Sequence, residues 1–359
     1  MLITILLLIV ISSVISYCLT PLIIVLAKKY NLVDNPKIRP HPAHTHQGVI
    51  PRAGGVSLFL GIFIPALFFL QFNTQLVSIF IGCLLIVLMG LWDDKKHRSP
   101  YIRLFINAAI VLLIILSGIT PPYITNPLGG ILHLDKYFWS INIWENSFVF
   151  YPFSSIVAFI WIYWTMNIVG WSGGVDGQLP GFVAITSFFI GILSLRFAAQ
   201  DQNQLQVTYL SFLTAGSFLG FLPWNFFPQK IMPGYGGKTL AGFILAIIST
   251  LSFSKLGTAT LILAIPMADA AFMLIKRILS GKSPLFATSN HLHHHLLKLG
   301  WGKKKIAIFY WVISAIAGII AISVNSQQKI FVGILALVVI SGFILWINLL
   351  KKIPVNNTG

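Results

Sequence analysis

Residues 76–98 read LVSIFIGCLLIVLMGLWDDKKHR: seventeen residues without a charge (76–92), then two carboxylates followed by cations. About 20 apolar residues in a helix cross the roughly 30 Å hydrocarbon core of a bilayer. An uncharged run that ends abruptly in adjacent charges is the pattern of such a helix emerging into water. Comparable runs recur at 3–27, 55–72, 104–120, 151–168, 182–198, 206–223, 239–253, 259–275, 306–323 and 330–349, making eleven. Some fall short of the full length, so their ends are free to move by a few residues.

The composition agrees. Residues of the AVILMFWYC set make up 57% of the 359-residue chain and charged residues only 9%, against roughly a quarter charged in soluble domains. The mean hydropathy is +0.87. This excludes a string of soluble domains. It predicts an all-α polytopic integral membrane protein, one domain over 1–359. Strand alternation is absent, which argues against a β-barrel. The first run has neither a basic start nor a small-residue cleavage site and is expected to stay as a helix. Cys18 and Cys83 lie in apolar runs and define no disulfide framework or zinc site.

Orientation follows from lysine and arginine. The loops 28–54, 93–103, 169–181, 224–238 and 276–305, with the tail from 350, carry 20 of the 24 Lys and Arg residues; the other side holds Lys136, Arg196, Lys255 and Lys329. The N-terminus is therefore expected outside and the C-terminus in the cytosol. The net charge of +16 is then mostly topogenic and no argument for nucleic-acid binding. The same loops hold eight of the nine histidines and four of the eight carboxylates, Asp34, Asp93, Asp94 and Asp176, so chemistry is expected on the cytosolic face.

Five clusters stand out there. Asp93 and Asp94 repel each other unless a cation or proton lies between them, and hard oxygen ligands suit Mg²⁺ bridged to phosphate; a solvated helix end neutralised by Lys95, Lys96, His97 and Arg98 is the plain alternative. The loop from Asn167 to Gly181 holds five glycines outside the preceding span and one acid, Asp176, which lets backbone approach a nucleotide; a flexible turn is the alternative. Pro233-Gly-Tyr-Gly-Gly-Lys238-Thr239 offers amides and a lysine at a helix start, suited to an anion, but fails the spacing of a phosphate-binding P-loop. Asp269 is an ionisable group inside a span, usually a sign of an interior site. His291, His293, His294 and His295 form an HxHHH run whose adjacent rings cannot all face one metal; phosphate orientation fits better than zinc. The first loop adds Asp34, His41, His44, His46 and the stretch PRAGG at 51–55.

Taken together these pieces resemble the polyprenyl-phosphate N-acetylhexosamine-1-phosphate transferase family. The resemblance runs from about residue 20 to 320 and rests on PRAGG at 51–55, the DD pair at 93–94, NIVG…GVDG at 167–177, FLPWNFFPQKI at 221–231, PMAD at 266–269 and HLHHHLL at 291–297, in the family's order. It implies transfer of a sugar-1-phosphate from a UDP-sugar to undecaprenyl phosphate with release of UMP, Mg²⁺ (or Mn²⁺) as cofactor, and a multi-pass place in a bacterial plasma membrane, with a homodimer left open. The PRAGG and HxHH forms resemble the GlcNAc-1-phosphate branch, which opens cell-envelope glycans such as O-antigen or teichoic acid. A MurNAc-pentapeptide activity is the runner-up.

By the resemblance, Asp93, Asp94, Asp176, His293 and His294 are catalytic. Lys95, Lys96, Asn167, Lys238, Asp269, His291 and Arg52 bind substrate, and Asp93, Asp94, Asn167 and Asp176 hold metal. The sequence departs from the family at three acids: the third acid after the DD pair is His97, the 167–177 loop keeps Asn167 and Asp176 but not its first acid, and MPGYGGKT, in place of the family's loop with a metal-binding Asp, has no acid and adds the positive charge of Lys238. A homologue with altered or lost activity stays open on that account. A transporter with an ion site at Asp269 is the rival of another class, but the halves show no internal repeat.

Overall fold

The structure is a computed structural model and describes residues 1–38, 44–96, 98–126, 128–143, 146–252, 255–281, 283 and 291–350. It is a helical bundle. Eight helices are long and apolar enough to span a membrane: α1 (Leu2–Lys29), α3 (Thr74–Lys96), α5 (Pro152–Ser172), α6 (Gln178–Leu195), α7 (Gln202–Asn225), α8 (Gly234–Leu251), α12 (Lys303–Ser323) and α13 (Ser326–Leu350). Two apolar helices are shorter, α2 (Gly54–Phe69) and α4 (Pro100–Leu116). The expected ninth span at 259–275 is not one rod. It is α9 (Lys255–Ile262) followed by α10 (Ala264–Leu279), bent by 81° at the junction. The polypeptide between 276 and 305, expected as a plain loop, carries a short helix, α11 (Leu292–Lys298).

α8 is the axis of the fold. It packs against α2, α3, α5, α6 and α9, and every residue from Leu240 to Ile248 is buried. A helix apolar all round belongs in such a place. The rim helices show the reverse: Phe331, Leu335 and Val338 of α13 are exposed apolar side chains, suited to lipid. Between α1 and α7 small residues let the backbones approach. Ser12 Oγ donates to the carbonyls of Gly61 (2.7 Å) and Leu213 (2.5 Å), and Ser13 Oγ to that of Gly216 (2.8 Å). In lipid such packing and interhelical hydrogen bonds replace the hydrophobic drive.

Strands occur only as short antiparallel pairs among the described residues. β1 (Val33–Asp34) pairs β2 (Ile50–Pro51), β3 (Tyr123–Thr125) pairs β4 (Ile131–His133), and β5 (Trp139–Ile143) pairs β6 (Asn146–Phe150). The last two hairpins occupy the aromatic loop 121–150, for which the sequence predicted no strand. They lie at the opposite end of the bundle from β1 and β2. The β1–β2 pair positions the site: Asp34 lies opposite Ile50, the amide of Met232 donates to Pro51 O (2.8 Å), and the amides of Gly54 and Gly55 donate to Met232 O and Pro233 O (3.0 and 2.9 Å). This backbone zipper holds residues 51–55 against the start of α8.

Candidate functional site

The C-terminal ends of α3, α5 and α7, the first half of α10 and the N-terminal ends of α4, α6, α8, α11 and α12 meet at the end of the bundle that β1 and β2 cover. Five buried carboxylates lie there: Asp34, Asp93, Asp94, Asp176 and Asp269. Each has a partner of its own.

Arg52 is the hub of the first group. It reaches Asp94 Oδ1 at 2.9 Å and Asp34 Oδ2 at 3.5 Å, while His44 Nε2 lies 3.3 Å from the same Asp34 oxygen. The backbone amide of Tyr235 donates to both oxygens of Asp94 (3.2 and 3.3 Å). Gly234 makes this approach feasible. It has φ +71, and a Cβ there would run into Arg52 O and the Asp94 carboxylate. Asp93 faces the other way, to Arg103 Nε at 2.8 Å and the amide of Arg98 at 3.0 Å. The guanidinium of Arg98 stacks 3.9 Å over the Trp92 ring. Lys95 and Lys96 are exposed and pair with neither acid among the described residues. The cations beside the DD pair are Arg52 and Arg103. His97 and His41 lie outside the described residues.

Asp176 accepts from Lys303 Nζ (3.0 Å), from Gln229 Nε2 (3.1 Å) and from the Gln229 amide (3.2 Å). Asn225 ties the same corner together by accepting from the Gly177 amide and donating to Gln229. Asn167, expected beside Asp176, turns its amide back to Tyr163 O at 2.7 Å within its own helix.

Asp269 is 1% exposed, and its carboxylate is partnered within the protein. It accepts from the amide of Leu292 (2.8 Å) and lies 2.9 Å from His291 Nδ1. It thus caps the start of α11 and orients the histidine run. His291 and His293 stack with ring centroids 5.8 Å apart, and His293 and His294 lie 4.3 Å apart. Gly174 lies so close to the His293 ring that a Cβ would overlap it, and its carbonyl accepts from Thr45 Oγ1 (2.8 Å). The glycine-rich loop, the first loop and the histidines are therefore one assembly.

Among the described residues, His46 Nε2, His293 Nδ1 and His294 Nε2 are buried without a hydrogen-bond partner, as is Arg52 Nε. Burial pushes all three imidazoles below their ordinary value, with neighbouring histidines adding to the effect at His293 and His294 and Asp34 opposing it at His46; His294 falls to about 4. They are neutral at pH 7. The unfolded chain would protonate such groups near 6.5, so it binds protons first as pH falls and stability is lost between about 6.5 and 4. The melting temperature of the purified protein is expected to hold above pH 7 and to drop between pH 6.5 and 5, with a shallower drop in His294→Gln. Thermal scans in detergent across that range check this.

Mg²⁺ needs several oxygen ligands in near-octahedral array. Among the described residues no three His, Cys, Asp or Glu side chains converge on a metal position. The acids expected to hold the ion are closed by Arg52, Arg103, Lys303 and Gln229. Entry of a metal would have to break a buried ion pair, which costs about 3–5 kcal/mol when one partner is lost. As arranged, these residues do not fit the metal.

Arg103, Gln229, Lys303 and Tyr235 escaped the sequence reading. Lys303 was counted only as a topogenic charge, and it lies 127 positions from Asp176. The stretch holding Gln229 is FLPWNFFPQKI, but nothing local marks its partner.

Helix ends carrying acids, arginines and neutral histidines thus gather at one end of the bundle. Residues 76–253 of the chain match the model of glycosyl transferase family 4. The chain is 28% identical over 316 residues to a "Probable undecaprenyl-phosphate N-acetylglucosaminyl 1-phosphate transferase" of Bacillus subtilis (strain 168), covering 86% of this chain and 81% of that one. A "Decaprenyl-phosphate N-acetylglucosaminephosphotransferase" of Mycobacterium leprae (strain TN) is 25% identical over 95% of this chain and 89% of its own. The "Undecaprenyl-phosphate alpha-N-acetylglucosaminyl 1-phosphate transferase" of Escherichia coli (strain K12) is 26% identical over 85% and 79%.

Proposed function

We propose that the protein transfers GlcNAc-1-phosphate from UDP-GlcNAc to undecaprenyl phosphate and releases UMP, as a first membrane step of cell-envelope glycan synthesis. The observation that carries this reading is the likeness to relatives named for that transfer over roughly four-fifths or more of both chains. The gathering of the family-like motifs at one end of the bundle supports it. The reading places the protein in the bacterial plasma membrane with eleven crossings: the eight long helices, α2, α4 and the bent pair α9–α10. The N-terminus is outside and the site is at the cytosolic surface, the side richer in Lys and Arg.

In this reaction an oxygen of the lipid phosphate attacks the β-phosphorus of the donor. The bond from that phosphorus to the bridging oxygen breaks, and UMP leaves with the electron pair. The lipid phosphate is already an anion, so no proton has to be removed from it. Catalysis is then a matter of holding two anions in line and stabilising charge on the departing phosphate. The chain's own groups for that are the unpartnered donors of Arg52, His46, His293 and His294 and the amine of Lys238. Asp93, Asp94, Asp176 and Asp269 fix Arg103, Arg52, Lys303 and His291 in place.

Mass spectrometry of the lipid product tests the proposal. Membranes holding the protein, supplied with UDP-GlcNAc, are expected to accumulate polyprenyl-diphospho-GlcNAc above a control lacking it. A product seen only with UDP-MurNAc-pentapeptide would replace the donor assignment.

A further inference from the structure

We propose that Lys238, with Arg52 and the neutral histidines of α11, binds the donor's diphosphate directly, so that nucleotide binding at this site needs no divalent cation. The inference rests on the transferase reading and specifies how its donor is held.

Three observations converge on it. The first is the closure of the acids. Arg52 and the Tyr235 amide occupy Asp94, Arg103 and the Arg98 amide occupy Asp93, and Lys303 and Gln229 occupy Asp176. Tyr235 fills the remaining space: its hydroxyl accepts from Asn107 Nδ2 at 3.1 Å and its ring faces the Arg103 guanidinium at 5.1 Å.

The second is Lys238 itself. It stands one turn into α8, beside Gly170, whose Cβ position is 3.7 Å from the lysine Cβ. It is partly buried and forms no ion pair or hydrogen bond among the described residues. It lies within electrostatic reach of Arg52, Asp94, Asp34 and His293. Arg52 ion-pairs with both Asp34 and Asp94, whereas the Lys238 amine has no direct partner among the described residues and keeps its N–H donors to offer. An ammonium at that depth calls for an anion.

The third is a group of buried polar atoms without hydrogen-bond partners among the described residues: Arg52 Nε, His46 Nε2, His293 Nδ1 and His294 Nε2. Arg52 Nε is always a donor, and each neutral ring can offer an N–H in one tautomer. Leaving such groups unpaired is costly. A diphosphate, rich in acceptor oxygens and carrying negative charge, would satisfy them and Lys238 together, whereas a cation would repel both Lys238 and Arg52.

The test is calorimetric titration of the full-length protein in nanodiscs with UDP-GlcNAc, UDP and uridine, each in EDTA and in Mg²⁺. UDP-GlcNAc and UDP are expected to bind in EDTA within about threefold of their affinity in Mg²⁺. Lys238→Met is expected to weaken both by about tenfold or more, the worth of a hydrogen bond to a charged group, and to leave uridine binding unchanged. Lys238→Arg should retain most of the affinity, and ligand-free melting temperatures report whether each variant folds. Binding that appears only with Mg²⁺, or equal affinity in folded Lys238→Met and wild type, would overturn the inference and leave the transferase reading standing. Absence of UDP-GlcNAc and UDP binding in both buffers would overturn the transferase reading itself.

Discussion

Arg52→Met is expected to destabilise the protein by about 3–5 kcal/mol and to abolish turnover. The side chain holds two acids at once, Asp94 at 2.9 Å and Asp34 at 3.5 Å. Asp94 is 2% exposed and Asp34 5%, so neither can find water when its partner is removed, and an uncompensated buried charge carries that cost. The amide of Tyr235 still donates to Asp94, and His44 still faces Asp34; these set the lower end of the range. Arg52→Met combined with Asp94→Asn removes one of the stranded charges and should recover part of the stability without recovering turnover. Thermal unfolding of the three proteins in one detergent, read by an intrinsic probe, checks the order. A single variant as stable as wild type would show that the Arg52 hub is incidental.

Asp269→Ala is expected to lower turnover by about 100-fold, the loss that follows when a substrate-positioning group shifts by about 1 Å. Asp269 holds the start of α11 through the Leu292 amide and His291. Its removal leaves both unpaired and frees the helix that carries His293 and His294. Asp269→Asn keeps an acceptor for the Leu292 amide but not the charge facing His291, so intermediate activity is expected. A purely structural role would lower activity and melting temperature together in both variants. A positioning role separates them, with Asp269→Asn as stable as wild type and still slower.

Much of this fold was legible because a bilayer imposes one rule, long apolar helices, that leaves a plain trace in the sequence. The run at 76–98 became α3 with Asp93 and Asp94 at its end. The clusters around Arg52, Asp94, Asp176 and the histidines were legible as motifs and do converge. What the sequence could not display is which group each acid faces. Tyr235 meets Asp94 across 141 positions and Lys303 meets Asp176 across 127, and no local spacing encodes such pairs. Asp269 shows the same limit. An acid inside an apolar run marks a special site, but only the structure shows that its partner is the protein's own helix. The bend between α9 and α10 was hidden because apolar periodicity continues through it, and the hairpins at 121–150 because aromatic residues suit a strand as well as a membrane surface.

Release of UMP by the purified protein, given UDP-GlcNAc and undecaprenyl phosphate in detergent, tests the central claim most directly. Wild type is expected to release UMP in proportion to the lipid phosphate supplied, with none released when that lipid is omitted and none from Asp94→Asn, which removes the charge that holds Arg52. Wild type that binds UDP-GlcNAc and never releases UMP, or Asp94→Asn that keeps full turnover, would contradict the account.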